Sequence, residues 1–300
     1  MTATAATMSP ARAWILAARP ATLPAAAVPV IVGTAVALSE GARFHVLTFF
    51  ATLVCALLIQ IGTNFANDYS DFHRGADNEN RLGPTRVTHS GLLDAALVRR
   101  GIIIAFGLAV LVGFWLVYIG GWPILAIGVA SVIAGLAYTG GPFPFGYFAL
   151  GDVFVFVFFG LVAVTGTAYL QVGHWSRTSL LYAIPIGLLV TNILVVNNMR
   201  DLPTDRAAGK NTLAVVIGDR ATRIQYAMFA LAAFAIPLAI AATDPAHRTL
   251  LLVLATLPMA LGLVRTILRG TQGRELNPVL KKSGKLLLFF GVLLSIGVVI

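Results

Sequence analysis

Nine predominantly apolar runs, at residues 21–39, 44–67, 101–120, 122–138, 149–172, 178–199, 222–242, 249–268 and 284–300, occupy most of this chain. Each has the roughly 17–25 residues that a helix needs to cross the hydrocarbon of a bilayer, and none shows the period-2 alternation of a half-buried strand. The composition agrees. Hydrophobic residues make up 58% of the 300 and charged residues 11%, against about 45–50% and about 25% in soluble domains. The expected fold is an all-α integral membrane bundle of nine transmembrane helices forming one domain over residues 1–300. Prolines inside several runs (Pro24, Pro29, Pro185, Pro237, Pro258) do not oppose this, because neighbouring helices re-satisfy the carbonyls that a proline frees.

Orientation follows from the basic residues. Of the 21 Lys and Arg, 18 precede the first run or lie around the connections after the second, sixth and eighth runs. Only Arg43, Arg177 and Arg248 fall on the other side. Basic residues are held on the cytoplasmic face, so the N-terminus is expected there. Residues 1–20, with Arg19 and Pro20 ahead of the first run, read as an N-terminal cytoplasmic segment and lack the pattern of a cleavable signal peptide. The net charge of +9 would point to nucleic acid in a soluble protein. Here the basic residues sit in loops, where membrane orientation and an acidic substrate account for them and no nucleic acid is expected. The single cysteine, Cys55, lies in an apolar run, which excludes a disulfide framework and a thiolate metal site.

Acidic residues are few, and two groups of them close apolar runs on the cytoplasmic side. The second run ends Asn64-Phe-Ala-Asn67-Asp68-Tyr-Ser-Asp71 and continues through Arg74 to Asp77; the sixth ends Asn197-Asn198-Met-Arg200-Asp201-Leu-Pro-Thr-Asp205. Positions three or four apart share a helix face, so Asn64, Asp68 and Asp71 group together, as do Asn197, Asp201 and, if the helix survives Pro203, Asp205. Such clusters are often only helix caps at a polar interface. Two of them sharing Asn-x-x-x-Asp on one face of the membrane are better explained by a cation that offsets like charges. Magnesium takes oxygen ligands, usually one or two carboxylates together with water and phosphate. Cations follow each motif: Arg74, Arg81 and Arg86 after the first, Arg200, Arg206 and Lys210 in and after the second. Arginine and lysine both suit phosphate oxygens. The histidines show no ligand spacing, and no nucleophile elbow, dinucleotide fingerprint or phosphate-binding loop is present. Between the fourth and fifth runs, Tyr138-Thr-Gly-Gly-Pro142-Phe-Pro144-Phe-Gly-Tyr147 reads as a rigid non-helical connector, tolerated at membrane depth where it lines a cavity.

These residues resemble those of the UbiA-type membrane prenyltransferases over nearly the whole chain. The likeness rests on Arg19-Pro20-Ala-Thr22-Leu23-Pro24, Asn67-Asp68-Tyr69-Ser-Asp71-Phe72, Arg81-Leu-Gly83-Pro84, Tyr138-Thr-Gly-Gly-Pro142, Asn198 with Asp201 and Asp205, Gly209-Lys210, and Leu276-Asn277-Pro278. Three of these segments, the Arg-Pro-x-Thr-Leu start, the Tyr-Thr-Gly-Gly-Pro connector and Leu-Asn-Pro, are similar to the branch that acts on 1,4-dihydroxy-2-naphthoate in menaquinone synthesis. The first motif departs from the family pattern, whose last Asp would fall at Gly75; the next acid here is Asp77. Pro142 stands where many members carry a lysine.

The resemblance implies Mg2+-dependent ionisation of a polyprenyl diphosphate and alkylation of 1,4-dihydroxy-2-naphthoate at the cytoplasmic face of the plasma membrane. Catalysis would fall to Asp68, Asp71, Asp201 and Asp205, with Asn64, Asn67, Asp77 and Asn197 as further metal ligands. Arg74, Arg81, Arg206 and Lys210 would hold diphosphate; Tyr138 and Arg19 would hold the acceptor. Two rivals are a sister enzyme for 4-hydroxybenzoate or homogentisate and an ion-coupled transporter. Transporter acids usually lie near the midplane, whereas these lie at one membrane face.

Overall fold

A computed structural model describes residues 8–75 and 82–300. Asp77 and Arg81, expected in the site, lie outside them. The chain opens with a nine-residue helix, α1 (Pro10–Ala18), capped by the Ser9 hydroxyl and started by Pro10 at its first position, where a missing N–H costs nothing. Arg19 then takes a left-handed conformation (φ 52°), and after the turn at Pro20–Thr22 the chain bends by 51° into α2 (Pro24–Ser39).

Seven further helices are long and apolar enough to cross a membrane, among the described residues: α3 (Val46–His73), α4 (Ala95–Ala137), α5 (Gly151–Val172), α6 (Arg177–Ala207), α7 (Leu213–Thr243), α8 (Pro245–Leu268) and α9 (Gly273–Val299); the bent α1–α2 pair makes eight. The 43 residues of α4 would be ~65 Å long if straight, twice the hydrocarbon thickness. They are not straight. Gly121 has φ 69° and ψ −160°, outside the helical region. A Cβ on Gly135 would lie 3.4 Å from the Phe106 ring, although 29 straight helical residues would separate the two by ~44 Å. So α4 is a hairpin of two antiparallel arms, turning where the sequence reads Gly120-Gly121-Trp122-Pro123.

Most of the apolar stretch of α6 is enclosed by other helices, which makes it the axis of the bundle. Close approach depends on small residues: a Cβ on Gly160 of α5 would stand 2.5 Å from Gly187 Cα of α6, and one on Gly33 of α2 would stand 2.4 Å from the Val164 carbonyl of α5. The main core joins α2, α5, α6, α7, α8 and α9. A smaller cluster (Ala13, Ala17, Phe65, Val87, Leu93, Val98) fastens α1 and the 82–94 loop to α3, with Trp14 edge-on to Phe65 at 5.2 Å. Helix α1 of the N-terminal segment thus packs as part of the bundle. Pro203 does not end α6, which runs to Ala207, so Asp201 and Asp205 sit four apart on one helix face.

Candidate active site

The ends of α3 and α6 that carry the two motifs meet at one polar chamber of about 140 Å³. From α3 come Asn64, Asn67 and Asp71; from α6, Asn197 and Asn198; Arg19, Arg86, Tyr138 and Lys210 close the wall. The left-handed turn at Arg19 directs the chain from α1 into α2 at this wall. Such a conformation disfavours non-glycine residues by about 1–2 kcal/mol and persists only where the surroundings fix it.

The carboxylates are already engaged. Both oxygens of Asp68 accept backbone N–H bonds, from Val87 (3.1 Å) and Thr88 (3.1 Å), so this residue holds the 82–94 loop against α3. Helical spacing groups Asp68 with Asn64 and Asp71, whereas the chamber wall is built by Asn64, Asn67 and Asp71. Asp71 accepts from the Arg86 guanidinium at 2.7 Å and from the Tyr147 hydroxyl at 2.9 Å. Asp201 accepts a two-pronged contact from its neighbour Arg200, Nε at 2.8 Å and Nη2 at 2.6 Å. Arg200 is 1% exposed and also donates to Asn197 Oδ1 (2.8 Å) and Asn277 Oδ1 (2.9 Å). Asn277 in turn donates to the Leu82 carbonyl (3.0 Å). This chain of bonds ties the second motif to the start of α9 and to the loop that Asp68 holds. Asp205 faces Lys210 Nζ at 3.9 Å.

The connector at 138–150 is irregular apart from one turn at Phe145–Tyr147. Arg74 donates to its carbonyls at Thr139 (3.0 Å) and Gly141, and Thr139 Oγ1 donates to Asn67 Oδ1 (2.9 Å). Tyr147 lies under both Arg74 (5.6 Å) and Lys210 (5.2 Å). Burial pushes the Tyr138 phenol far up, with Asp152, Asp205 and Asp71 adding to it. Burial and then Asp71 do the same to Tyr147. Both rings are therefore neutral donors. Arg206, exposed, reaches the Val215 carbonyl (3.4 Å) and is not part of the chamber wall.

Of the residues expected from sequence, Asn64, Asn67, Asp71, Asn197, Arg19, Tyr138 and Lys210 line the chamber. Asp68, Asp201 and Asp205 stand behind it in the networks above, and Arg74 braces the connector. Three participants carry no expected role from sequence: Tyr147, Arg200 as a partner of Asp201, and Asn277. Asn277 had a signal in the Leu-Asn-Pro segment and Tyr147 in the connector, while Arg200, expected as a phosphate-binding cation, is instead buried against Asp201, Asn197 and Asn277.

The donor set is entirely oxygen, and each motif supplies one or two carboxylates with amide oxygens beside them. Each Asp oxygen that accepts one hydrogen bond retains a further lone pair. Among the described residues no three of His, Cys, Asp and Glu converge on a point. A hard cation that keeps water or phosphate ligands fits this arrangement, and magnesium is such a cation.

A second cavity, apolar and about 340 Å³, adjoins the chamber. Thr52, Cys55, Ala56 and Ile59 of α3 line it, as do both arms of α4 and residues 158–170 of α5. Its rim includes Phe114, Leu125, Val129 and Ile133, all exposed on the outer surface, so the cavity opens laterally between the α4 arms.

Comparison with known proteins agrees with this architecture. The chain is 36% identical over 282 residues to a 1,4-dihydroxy-2-naphthoate octaprenyltransferase of Mycobacterium tuberculosis, covering 93% of this chain and 94% of that one. It is 35% identical over 298 residues to the enzyme of the same name from Escherichia coli, covering 97% and 96%. A UbiA homologue from Archaeoglobus fulgidus, solved with GPP and Mg2+, superposes with a TM-score of 0.56 at 12% identity, over 94% of this chain and 99% of that one. Residues 26–297 match the model of the UbiA prenyltransferase family, and the chain belongs to that family.

Proposed function

We propose that this chain transfers a polyprenyl group from polyprenyl diphosphate to 1,4-dihydroxy-2-naphthoate, with loss of diphosphate and carbon dioxide, to form demethylmenaquinol, the reduced form of demethylmenaquinone. The observation that carries this reading is the adjacency of a chamber walled by two Asn/Asp motifs and an apolar cavity open to lipid. One is suited to a diphosphate and the other to its tail. The relatives' names supply the acceptor.

Asp68, Asp71, Asp201 and Asp205, with Asn64, Asn67 and Asn197, are the residues that would hold Mg2+; from sequence alone, Asp77 is assigned with them and Arg81 to the diphosphate. When bound, Mg2+ would neutralise charge on the departing diphosphate. The chain's own part is positioning. Lys210 and Arg86 present cationic donors to the phosphate oxygens, while Arg74 and Arg206 add positive charge behind them. Arg19 faces the acceptor's carboxylate, and the neutral Tyr138 hydroxyl donates a hydrogen bond to the acceptor or lies against its ring. The apolar walls exclude water from the allylic cation, which would otherwise be hydrolysed. The bilayer crossing count that goes with this reading is nine, with α4 crossing twice, and the chamber faces the cytoplasm of a plasma membrane.

Purified protein offered 1,4-dihydroxy-2-naphthoate, 4-hydroxybenzoate and homogentisate at equal concentration, with Mg2+ and a long prenyl diphosphate, tests this by mass spectrometry. Mainly demethylmenaquinol, or demethylmenaquinone once air has oxidised it, is expected. Dominance of a prenylated hydroxybenzoate or homogentisate would refute the acceptor while leaving the prenyltransferase chemistry intact.

A further inference from the structure

The two cavities share walls. On α3 the wall passes from Ile59, in the apolar cavity, to Gln60, in the chamber. On α5 it passes from Phe158 to Phe159, within a π-helical stretch at Phe156–Val162, a deviation that is frequent at functional sites. A series of rings accompanies this passage. Tyr138, in the chamber wall, meets Phe145 at 5.4 Å; Phe145 stacks on Phe154 at 3.9 Å; Phe154 lies 6.0 Å from Phe158, in the apolar wall. Phe145 and Phe154 line neither cavity and back the wall, so a ligand with its charged end in the chamber and a hydrocarbon tail would pass from one cavity to the other along α3 and α5.

Gly113 and Gly128 lie in the apolar wall, one on each arm of the α4 hairpin. Neither has the positive φ that requires glycine, and a Cβ on either would meet nothing within 4 Å. Some other glycines here have a visible reason, Gly121 a turn, Gly160 and Gly33 backbone contact, whereas Gly107 and Gly262 are as open but face neither cavity. In a helix interior glycine costs about 0.5–1 kcal/mol relative to alanine. At Gly113 and Gly128 neither backbone nor packing accounts for the choice. What the two positions provide is empty volume in the cavity.

We propose that Gly113 and Gly128 determine which prenyl diphosphates are accepted by length, because the space left by their missing side chains is where the later isoprene units of the donor lie. This inference rests on the reading that the chain is a prenyltransferase. It assigns these two residues a role in donor selectivity, with no part in bond breaking. Their placement near the lateral opening lets a long tail continue into lipid, whereas a short donor ends before reaching them.

The test is a graded series, Gly128→Ala, Gly128→Leu and Gly128→Phe with the same three at Gly113, assayed for kcat/KM with geranyl diphosphate and with a long all-trans polyprenyl diphosphate. Gly107→Phe and Gly262→Phe serve as controls, since both positions are equally open, exposed and outside either cavity. The long-to-short ratio of kcat/KM should fall with side-chain size, by about tenfold or more for Phe, equivalent to ~1.4 kcal/mol. The controls should keep the wild-type ratio. A uniform loss of stability would lower both donors together, so the ratio separates length selection from damage. If a Phe variant fails to fold, the Ala and Leu variants still report. A ratio unchanged across the folded variants, or shifted equally in the controls, overturns the inference alone. Wild-type protein that uses neither donor overturns the prenyltransferase reading itself.

Discussion

The acids of the first motif are held by groups distant in sequence, those of the second by near neighbours. Asp68 is fixed by the amides of Val87 and Thr88, and Asp201 by Arg200. Asp68→Ala and Asp201→Ala should therefore remove both a proposed metal ligand and an anchor. Each should lower turnover by at least ~100-fold, a few kcal/mol of transition-state stabilisation. Steady-state kinetics with excess Mg2+ would check this, and a variant retaining full rate would exclude that residue from the site. Tyr147 makes a separate prediction. Its phenol is pushed above the ordinary tyrosine range, so it remains a neutral donor to Asp71 below its folded pKa, through the whole assay range. Tyr147→Phe should lower kcat/KM yet leave the alkaline side of the pH–rate profile in place. A limb near pH ~10 present in wild type and lost in the variant would show that the phenol titrates. The Asn-x-x-x-Asp spacing made the two motifs legible in sequence, since helical periodicity alone puts those residues on common faces. Arg86 meeting Asp71 from 15 residues away, Tyr147 from 76 and Asn277 reaching Leu82 across 195 are tertiary contacts on which local spacing has no bearing.

At the scale of elements, run length located most of the helices because the bilayer imposes it. Residues 101–120 and 122–138 were separable at Gly121 by their Gly-Gly-Trp-Pro break, and the structure turns there. Helix α1 was not legible. Nine residues are too few to give a membrane signal, and its packing against α3 through Trp14 and Phe65 depends on a fold that brings the two together. Nor was the π-helical stretch of α5, an offset in hydrogen bonding that leaves no mark on an all-apolar run. That stretch is pinned by Gly160 against Gly187. Gly160→Leu should force α5 from α6 at a cost of about 1–3 kcal/mol for overpacking, seen as a lower thermal midpoint in detergent and a loss of activity with every donor. A midpoint equal to that of wild type would mean that the two helices are not held at this contact.

At the scale of the whole molecule, the chamber, the basic loops and the sidedness of the bundle form one argument. The 18 to 3 division of Lys and Arg belongs to a chain whose charged substrate and cation-rich chamber are at the same end. On the proposed function, the positive-inside rule would make that end cytoplasmic, where a water-soluble acceptor would be available, while the lateral opening would admit the lipid-soluble donor from the bilayer. The proposed nine crossings, with α4 crossing twice and α1–α2 counted as one bent span, would put the termini on opposite sides. The sole cysteine, Cys55, lies in the apolar cavity wall, so a Cys55→Ala protein is a clean background for labelling. Gln272→Cys, in the loop between α8 and α9, should be protected from an impermeant thiol reagent in intact cells and should react once the membrane is opened. Ala246→Cys, at the opposite end of α8, should react in intact cells. Both positions are exposed, so accessibility is governed by the membrane alone. If Gln272→Cys reacts in intact cells while Ala246→Cys is protected, the bundle is inverted, and the chamber must take its acceptor from outside the cell. If both react, or neither does, α8 does not cross, and the count of nine falls with it.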